Sequence, residues 1–440
     1  MDKTIIEGGG THRDAASRAP AAASPRRANY VLGLLTAIYA LNFLDRNIIN
    51  ILVEPIKSEL GLSDTMLGFL TGFGFVLFYS LLAFPLARLA DRKNRVAIIS
   101  VAIGLWSAMT ALSGMATSFT QLALARLGVG VGEAGSTAPS QSLIADYFPP
   151  ERRARAMSVF ATGTYLGIFL GYALGGYVNQ HYGWRAAFMV SGLPGIMIAL
   201  LLWATVRDLP RGSADGHKVP AATESVMDTV RFLLSQKSFV LIVMGFCLSS
   251  FTTYSLSVWI PAFLKRIHHM HSGEIGLYAG SIKGLLGIVG VLAGGVIIQR
   301  LANRDVRWIA RGPAVTSMLA GPSILLFLFA PDPQLSLLGL GLATLFSSFH
   351  LGPIFAVMQS LAKARMRAFA AATGTAMATL LGLGLGPLVI GALNDGLSAR
   401  FGVEAIRYSL SVSAGLSMLA AIFFLLAARH LAEDMRRCVN

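Results

Sequence analysis

Four charged residues lie inside apolar stretches of the sequence. Asp45 and Arg46 are adjacent in one stretch, and Arg126 and Glu133 are seven residues apart in another. Seven residues of helix return to the same face about 10 Å further along the axis. A charge at the centre of a bilayer costs roughly 2.5–3.5 kcal/mol on insertion scales, so such residues are few and lie in pairs or hydrated cavities. We expect Asp45 near Arg126, with Arg46 and Glu133 in reach, as one cluster of four charges.

Two interpretations of this cluster remain open. In the first, it is a neutral structural cluster that holds two helices together. In the second, which we favour, Asp45 or Glu133 takes up and releases a proton, while Arg46 or Arg126 binds an anionic group of a ligand. Low dielectric favours the protonated carboxyl and a nearby arginine favours the ionised form, so a substrate that engages the arginine would drive proton uptake. Asp45 is the first candidate for the proton site and Glu133 the second.

Further polar residues in apolar stretches are candidates for substrate binding. Asn42 precedes the first charge pair by one helical turn, and Ser250 and Tyr254 belong to a hydroxyl-rich segment that is unsuited to face lipid. For Lys283, snorkelling or pairing with polar residues is an alternative to substrate binding. For His350, we favour a hydrogen-bonded cavity residue over a proton site.

The elements that must position these residues are membrane spans. Of the 440 residues, 54% are hydrophobic and 13% charged, about half the charged fraction typical of soluble domains, which excludes an ordinary soluble enzyme. A bilayer crossing needs about 20 apolar residues. Twelve stretches qualify, near 30–51, 66–87, 96–116, 119–147, 155–178, 186–206, 238–264, 274–298, 308–330, 335–360, 368–393 and 405–428.

The basic residues predict the orientation of these spans. With the N-terminus inside, 27 of the 36 Lys and Arg lie in cytoplasmic tails and loops, six in the opposite loops and three within spans. Cytoplasmic loops carry an excess of Lys and Arg, so both termini are predicted in the cytoplasm of a multi-pass inner-membrane protein. The net charge of +14 therefore reflects topology, and we expect the lipid bilayer as partner, no nucleic acid, and a monomer.

A polar interruption divides the spans into six and six. We predict a disordered cytoplasmic tail at 1–28, a first half at 29–206, a cytoplasmic linker at 207–237, a second half at 238–430 and a tail at 431–440. Weak sequence similarities recur between the halves at similar residue offsets, joining 89–92 with 298–300 and 155–156 with 367–368. The predicted fold is all-α, twelve transmembrane helices as two pseudo-symmetric halves, with substrate bound between them near the midplane.

The loop at 87–95 resembles the signature of the major facilitator superfamily, with Ala87 and Asn94 at its glycine positions. Four features resemble the spinster-like transporters in particular: 41–46, 91–95, 132–134 and 382–387. The resemblance implies secondary active transport and, for the animal members, lysolipid or sphingolipid-type cargo. Glycines at every fourth position of 163–175 resemble an exporter motif, except that Tyr172 replaces its proline.

Charged residues at the predicted cytoplasmic ends of spans suggest a gate. These are Asp91, Arg92 and Arg95 after the second span, and Asp146 and Arg152 around the end of the fourth. Ion pairs between them can lock one conformation, and the resemblance assigns that role to the position of Asp91. The alternative, that the arginines only set orientation, leaves the two aspartates unexplained.

Other activities find little support in the sequence. The string at 130–135 matches a dinucleotide fingerprint but lies in a predicted membrane helix with no preceding strand. The histidines at 268, 269 and 271 lack the further ligands of a metal site. We therefore expect no metal, no catalytic residue and no cofactor beyond a proton gradient.

The function predicted is proton-coupled transport of an anionic amphiphile, lysolipid-like or sphingolipid-like, by alternating access. The alternative is a proton-coupled carrier of a small organic anion or drug-like solute. An integral membrane enzyme acting on lipid is a remote alternative, because no nucleophile and base stand at a useful spacing.

Overall fold

The computed structural model describes residues 24–211, 213, 226–363 and 366–438. Within those residues the chain is helical, without strands, and its helices form twelve crossings. They are span 1 (Pro25–Leu60), span 2 (Asp64–Arg92), span 3 (Arg95–Ser113), span 4 (119–147), span 5 (150–182), span 6 (184–205), span 7 (Lys237–His268), span 8 (Ser272–Ala302), span 9 (Trp308–Phe329), span 10 (Pro333–Ser360), span 11 (367–401) and span 12 (Ala405–Arg437).

The predicted all-α fold of twelve membrane helices is confirmed. Nine helical stretches of the described chain are long and apolar enough to cross a membrane. Two of these contain two crossings each, because Pro150–Thr205 turns at Gly183 and Phe369–Arg437 turns after Phe401. The remaining crossing is span 4, which is divided into Phe119–Ala134 and Thr137–Tyr147.

Interruptions fall at equivalent points of the two halves. Span 4 breaks at Gly135 and Ser136, and its counterpart span 10 breaks at His350, just before Gly352 and Pro353. Spans 2 and 8 each contain a π-helical turn, at Phe69–Phe73 and Ile282–Leu286. Span 11 contains a third at Leu380–Leu385. Matching defects support the predicted duplication, and π-turns are frequent at functional sites.

The segment boundaries differ from those predicted. Span 1 begins at Pro25, since proline suits the first helical turn, so 25–28 are helical and Ser24 is the N-cap residue; the predicted tail residues 1–23 lie outside the described residues. The predicted linker contains a helix, Val226–Ser235, and its residues 212 and 214–225 are not described. Span 12 continues to Arg437, into the predicted C-terminal tail.

The two halves pack together at one end of the molecule. Span 2 lies on span 11 and span 5 lies on span 8, with Gly72 so close to span 11 that an added Cβ would stand 2.5 Å from the Leu383 carbonyl oxygen. The contact continues to Gly391, which lies against the Asp64 backbone. We call the end that carries Asp64 the closed end. Toward Arg92 the described segments of the two halves make no extensive contact, and we call that the open end.

Candidate functional site

The strongest contact in the predicted cluster joins spans 1 and 4. Arg46 Nε donates to Glu133 Oε2 at 2.5 Å. Glu133 is fully buried, whereas 17% of the Arg46 side chain remains exposed. Charge-assisted contacts of this kind are the strongest hydrogen bonds in proteins, and burial excludes competing water. Arg46 therefore has one side held by Glu133 and another side accessible.

Asp45 and Arg126 are adjacent but are not an ion pair. Arg126 Nη1 lies 3.4 Å from the Asp45 backbone oxygen, and among the described residues no ion pair joins its guanidinium to the Asp45 carboxylate. Consecutive residues on a helix point about 100° apart, so Asp45 points toward Trp106 and Thr110 of span 3 while Arg46 reaches Glu133 of span 4. The four charges do lie together, but their pairing differs from the one we expected.

Aromatic rings surround Arg46. Its guanidinium carbon lies 5.5 Å from the ring centre of Phe43, 5.1 Å from that of Phe75 and 4.7 Å from that of Tyr79. Tyr254 of span 7, in the other half, is close enough to interact electrostatically with Arg46. An arginine stacked on aromatic faces can bind an anion while its surroundings accept an apolar group.

The other predicted substrate residues take different places. Asn42 is buried beside Glu133. Ser250 lies against span 11 at Gly382, at the contact of two spans of the second half. Lys283 lies in the π-turn of span 8 and makes no hydrogen bond or ion pair with any described residue. Only Asn42 and Tyr254 of the predicted set therefore adjoin the four charges.

His350 lies away from the cluster, in the break of span 10. Its Nδ1 is 3.4 Å from Thr316 Oγ1 of span 9, and its ring centre is 6.0 Å from that of Phe424 in span 12. The side chain is buried within the second half, in the setting of a hydrogen-bonded interior histidine.

The predicted gate residues separate into two groups. Arg95 is buried and ion-paired to Asp146, and its Nη2 lies 2.8 Å from Asp208 Oδ1 after span 6. It also donates to Ser142 and to the Leu209 carbonyl, at 2.9 and 2.6 Å. All these partners belong to the first half and its connection to the linker, so Arg95 and Asp146 tie one half together in this conformation.

The remaining gate candidates are solvent-exposed at the open end. Asp91, Arg92 and Arg152 are all exposed, and Arg152 lines a cavity of about 950 Å³ beside the start of span 1. Among the described residues, no ion pair or hydrogen bond joins these three side chains to the second half. A lock between halves at this end is therefore not engaged here.

A network at the closed end was missed by the sequence analysis. Arg266 of span 7 contacts Asp64 through two bonds, Nη1 to Oδ2 at 2.6 Å and Nη2 to Oδ1 at 2.8 Å, and contacts Glu54 of span 1 at 2.6 Å. Asp395 of span 11 accepts from the backbone N–H of Asp64 and Thr65, at 3.0 and 2.8 Å. Arg266 and Asp395 belong to the second half and their partners belong to the first, so both sets of bonds join the two halves. Acidic residues clustered at the predicted extracytoplasmic ends, opposite Arg266, were the available signal.

A buried tyrosine adds another bond between halves. The Tyr172 hydroxyl of span 5 donates to the Ser257 carbonyl of span 7. The glycine stripe on the same span packs mainly on span 1: Gly163 and Gly171 lie on the Thr36 and Leu44 carbonyls. The stripe therefore packs helices within one half.

Possible metal ligands are not grouped in the described chain. Within its residues no cluster of three or more His, Cys, Asp or Glu side chains could hold a metal ion.

The comparisons with known proteins agree with this architecture. The model of the Major Facilitator Superfamily matches residues 35–380. An "MFS-type efflux pump" of Mycolicibacterium smegmatis is 34% identical over 93% of this chain and 95% of its own length. "Protein spinster homolog 1" of Homo sapiens is 29% identical over 94% of this chain and 83% of its own length.

Solved structures show the same likeness. A bacterial homologue of the human lysosomal transporter spinster, inward-facing and unoccupied, has a TM-score of 0.85 and 29% identity, over 94% of this chain and 99% of that one. The inward-facing occupied form has a TM-score of 0.83. The family is one of transporters that work by alternating access rather than of enzymes. This chain is thus a multi-pass membrane transporter that belongs to the major facilitator superfamily and, within it, to the spinster-like family.

Proposed function

We propose that the chain couples proton movement to the transport of an anionic amphiphile, lysolipid-like or sphingolipid-like. The observation that carries the proposal is the position of Arg46, held by the buried Glu133 on one side and by aromatic rings on the other. An anionic headgroup at Arg46 competes with Glu133 for the guanidinium. A carboxylate that loses its cationic partner in a low-dielectric site favours the protonated form, so substrate binding and proton uptake are linked.

The aromatic rings support an amphiphile over a small hydrophilic acid. Phe43, Phe75 and Tyr79 around Arg46 offer apolar contact next to the cation, whereas a sugar acid would need several hydrogen-bond donors there. The resemblance to the spinster-like transporters, noted from the sequence motifs, implies the same cargo class. The relative named as an efflux pump favours the second candidate, a drug-like or small organic anion.

We further propose that the open end faces the cytoplasm of an inner-membrane protein with both termini inside, working as a monomer. The excess of Lys and Arg at that end supports the orientation, and the likeness to inward-facing homologues accords with it. The proton gradient then supplies the energy, without a bound cofactor.

Purified protein in vesicles tests the function directly. A thermal-shift screen of lysophospholipids against sugar acids identifies ligands, and pH-jump uptake of the best ligand measures coupling. We expect stabilisation by lysophospholipids and uptake that follows the imposed pH gradient. Stabilisation only by small hydrophilic acids would overturn the amphiphile, and uptake that ignores the gradient would overturn the coupling.

A further inference from the structure

A cavity of about 950 Å³ lies at the open end of the first half. The start of span 1, the end of span 4, the start of span 5 and the segment after span 6 form its walls. Leu32 of span 1 lines it, and Arg46 follows Leu32 by 14 residues, which is about 21 Å of helix. The cavity is therefore separate from the site around Arg46.

One side of this cavity is basic. Arg152 and Arg155, three residues apart at the start of span 5, both line it and are both exposed. Within the described chain, neither arginine forms an ion pair with a carboxylate. A third arginine, Arg27 of span 1, approaches the hydroxyl of Tyr147, which also lines the cavity. Positive charge therefore converges here from spans 1 and 5.

Acidic groups do not neutralise this side. Among the described residues that line the cavity, only Asp146 carries a carboxylate, and it is ion-paired to the buried Arg95. Glu151 is exposed in the first turn of span 5 and is not part of the lining. Guanidinium groups bind phosphate through paired N–H donors, so the free arginines of the lining are suited to a phosphate group.

Much of the remaining wall is apolar and reaches deeper into the membrane. Leu32 lies seven residues, about 10 Å, beyond Pro25, where span 1 begins, and Val159 lies one helical turn beyond Arg155. The other apolar side chains of the lining include Ala28, Phe148, Ala156 and Leu209. A phospholipid has its phosphate at the membrane boundary and its acyl chains deeper, so its two parts match the two parts of this wall.

We propose that this cavity binds a two-chain anionic phospholipid from the membrane leaflet at the open end. The lipid phosphate contacts Arg152 and Arg155. One acyl chain lies along Leu32 and Val159, while the other remains in the bilayer. Basic pockets between membrane helices on the cytoplasmic side bind the headgroups of anionic lipids. This lipid is a resident of the membrane and not transported cargo, so the proposal does not depend on proton coupling.

Native mass spectrometry of the full chain, titrated with phosphatidylglycerol or phosphatidylcholine, tests the basic part of the site. We expect tighter binding of phosphatidylglycerol. Arg152→Gln combined with Arg155→Gln should weaken that binding about 25-fold, because each arginine near a membrane surface contributes roughly fivefold. Equal binding of the two lipids by the unaltered protein would overturn the proposal.

The matched control changes two arginines at the same end of the second half. Arg300 and Arg304, at the end of span 8, are exposed and do not line the cavity. Arg300→Gln combined with Arg304→Gln removes the same charge, and we expect it to leave phosphatidylglycerol binding unchanged. Equal weakening in both double variants, or none in the variant of Arg152 and Arg155, would overturn the site.

Val159→Gln tests the apolar part of the site. A polar amide along the acyl chain should weaken phosphatidylglycerol binding several-fold. Val101→Gln on span 3 is the control, because Val101 is exposed but does not line the cavity. Inorganic phosphate should not raise the melting temperature of the protein, whereas phosphatidylglycerol should. Equal stabilisation by both, with Val159→Gln unaffected, would show an anion site and overturn the lipid.

Arg46→Gln separates this site from the proposed transport site. We expect the Arg46→Gln protein to bind phosphatidylglycerol as the unaltered protein does. Loss of binding equal to that of the Arg152 and Arg155 double variant would place the lipid at the transport site and overturn this proposal. If uptake ignores the pH gradient while phosphatidylglycerol binding depends on Arg152 and Arg155, the proposed coupling is wrong and the lipid site stands.

Discussion

Arg266 and Asp64 form a bidentate ion pair between the two halves of the transporter, with N–O distances of 2.6 and 2.8 Å. Asp64 is 2% exposed as a side chain and Arg266 14%, so the pair is largely removed from water. Because one residue starts span 2 and the other ends span 7, the pair can exist only while this end of the molecule is closed. It is therefore a contact that alternating access must break in every cycle.

Arg266→Gln should shift the protein toward conformations open at this end. Breaking a buried ion pair costs about 3–5 kcal/mol, and the partial exposure of Arg266 places the effect at the lower limit. Every 1.4 kcal/mol changes an equilibrium constant about tenfold, so the closed population should fall by roughly two orders of magnitude relative to the open one. Spin labels at Ser58 and His271, which line one crevice from opposite halves, report the change as a longer distance.

Arg185→Gln is the matched control for Arg266→Gln. Arg185 is ion-paired to Glu59 at the same end, but both residues belong to the first half. We expect no change in the Ser58–His271 distance. If both substitutions lengthen it equally, the effect is one of local charge and not of contact between halves.

Gly72→Ala should also prevent full closure. The added Cβ would stand 2.5 Å from the Leu383 carbonyl oxygen and 2.9 Å from that of Gly384, closer than atoms pack, and both neighbours are backbone. We predict a longer Ser58–His271 distance and slower transport. The control is Gly104→Ala on span 3, where nothing lies within 4 Å and alanine favours the helix by about 1 kcal/mol. A Gly72→Ala protein with unaltered distance and rate would show that spans 2 and 11 do not pack this tightly.

Arg95→Ala should destabilise the first half without changing the conformation. The substitution removes Arg95 from its buried ion pair with Asp146, and removing one partner of such a pair costs about 3–5 kcal/mol. A lower melting temperature with an unchanged Ser58–His271 distance is the expected result in this conformation. A changed distance with unchanged melting would instead support the gate that the sequence predicts for this residue.

The fold was predictable because its determinants are local. Twelve apolar stretches and the division near residue 207 follow from hydropathy, and the charged positions within spans 1 and 4 indicate a common site. The direction in which each side chain points was harder to predict from the sequence. Asp45 and Arg46 are adjacent in sequence, yet Asp45 points toward span 3 and Arg46 toward span 4. That difference decides that Arg46 pairs with Glu133 and that Asp45 has no arginine as an ion-pair partner among the described residues.

Contacts between halves were not predictable in the same way. Arg266 and Glu54 are 212 residues apart, and Asp395 and Thr65 are 330 residues apart, so no local spacing connects them. The glycine stripe at 163–175 indicated close packing but not its partner, which is span 1. Interhelical partners depend on how the halves dock, which a single sequence does not encode as a pattern.

The central claim is that Asp45 and Glu133 couple proton movement to transport. Its most direct test is Asp45→Asn in vesicles, with internal pH and substrate uptake recorded together under an imposed pH gradient, and counterflow measured separately. We predict that substrate-linked proton movement and gradient-driven uptake are lost while counterflow remains measurable. Undiminished proton movement with substrate in the Asp45→Asn protein would contradict the account.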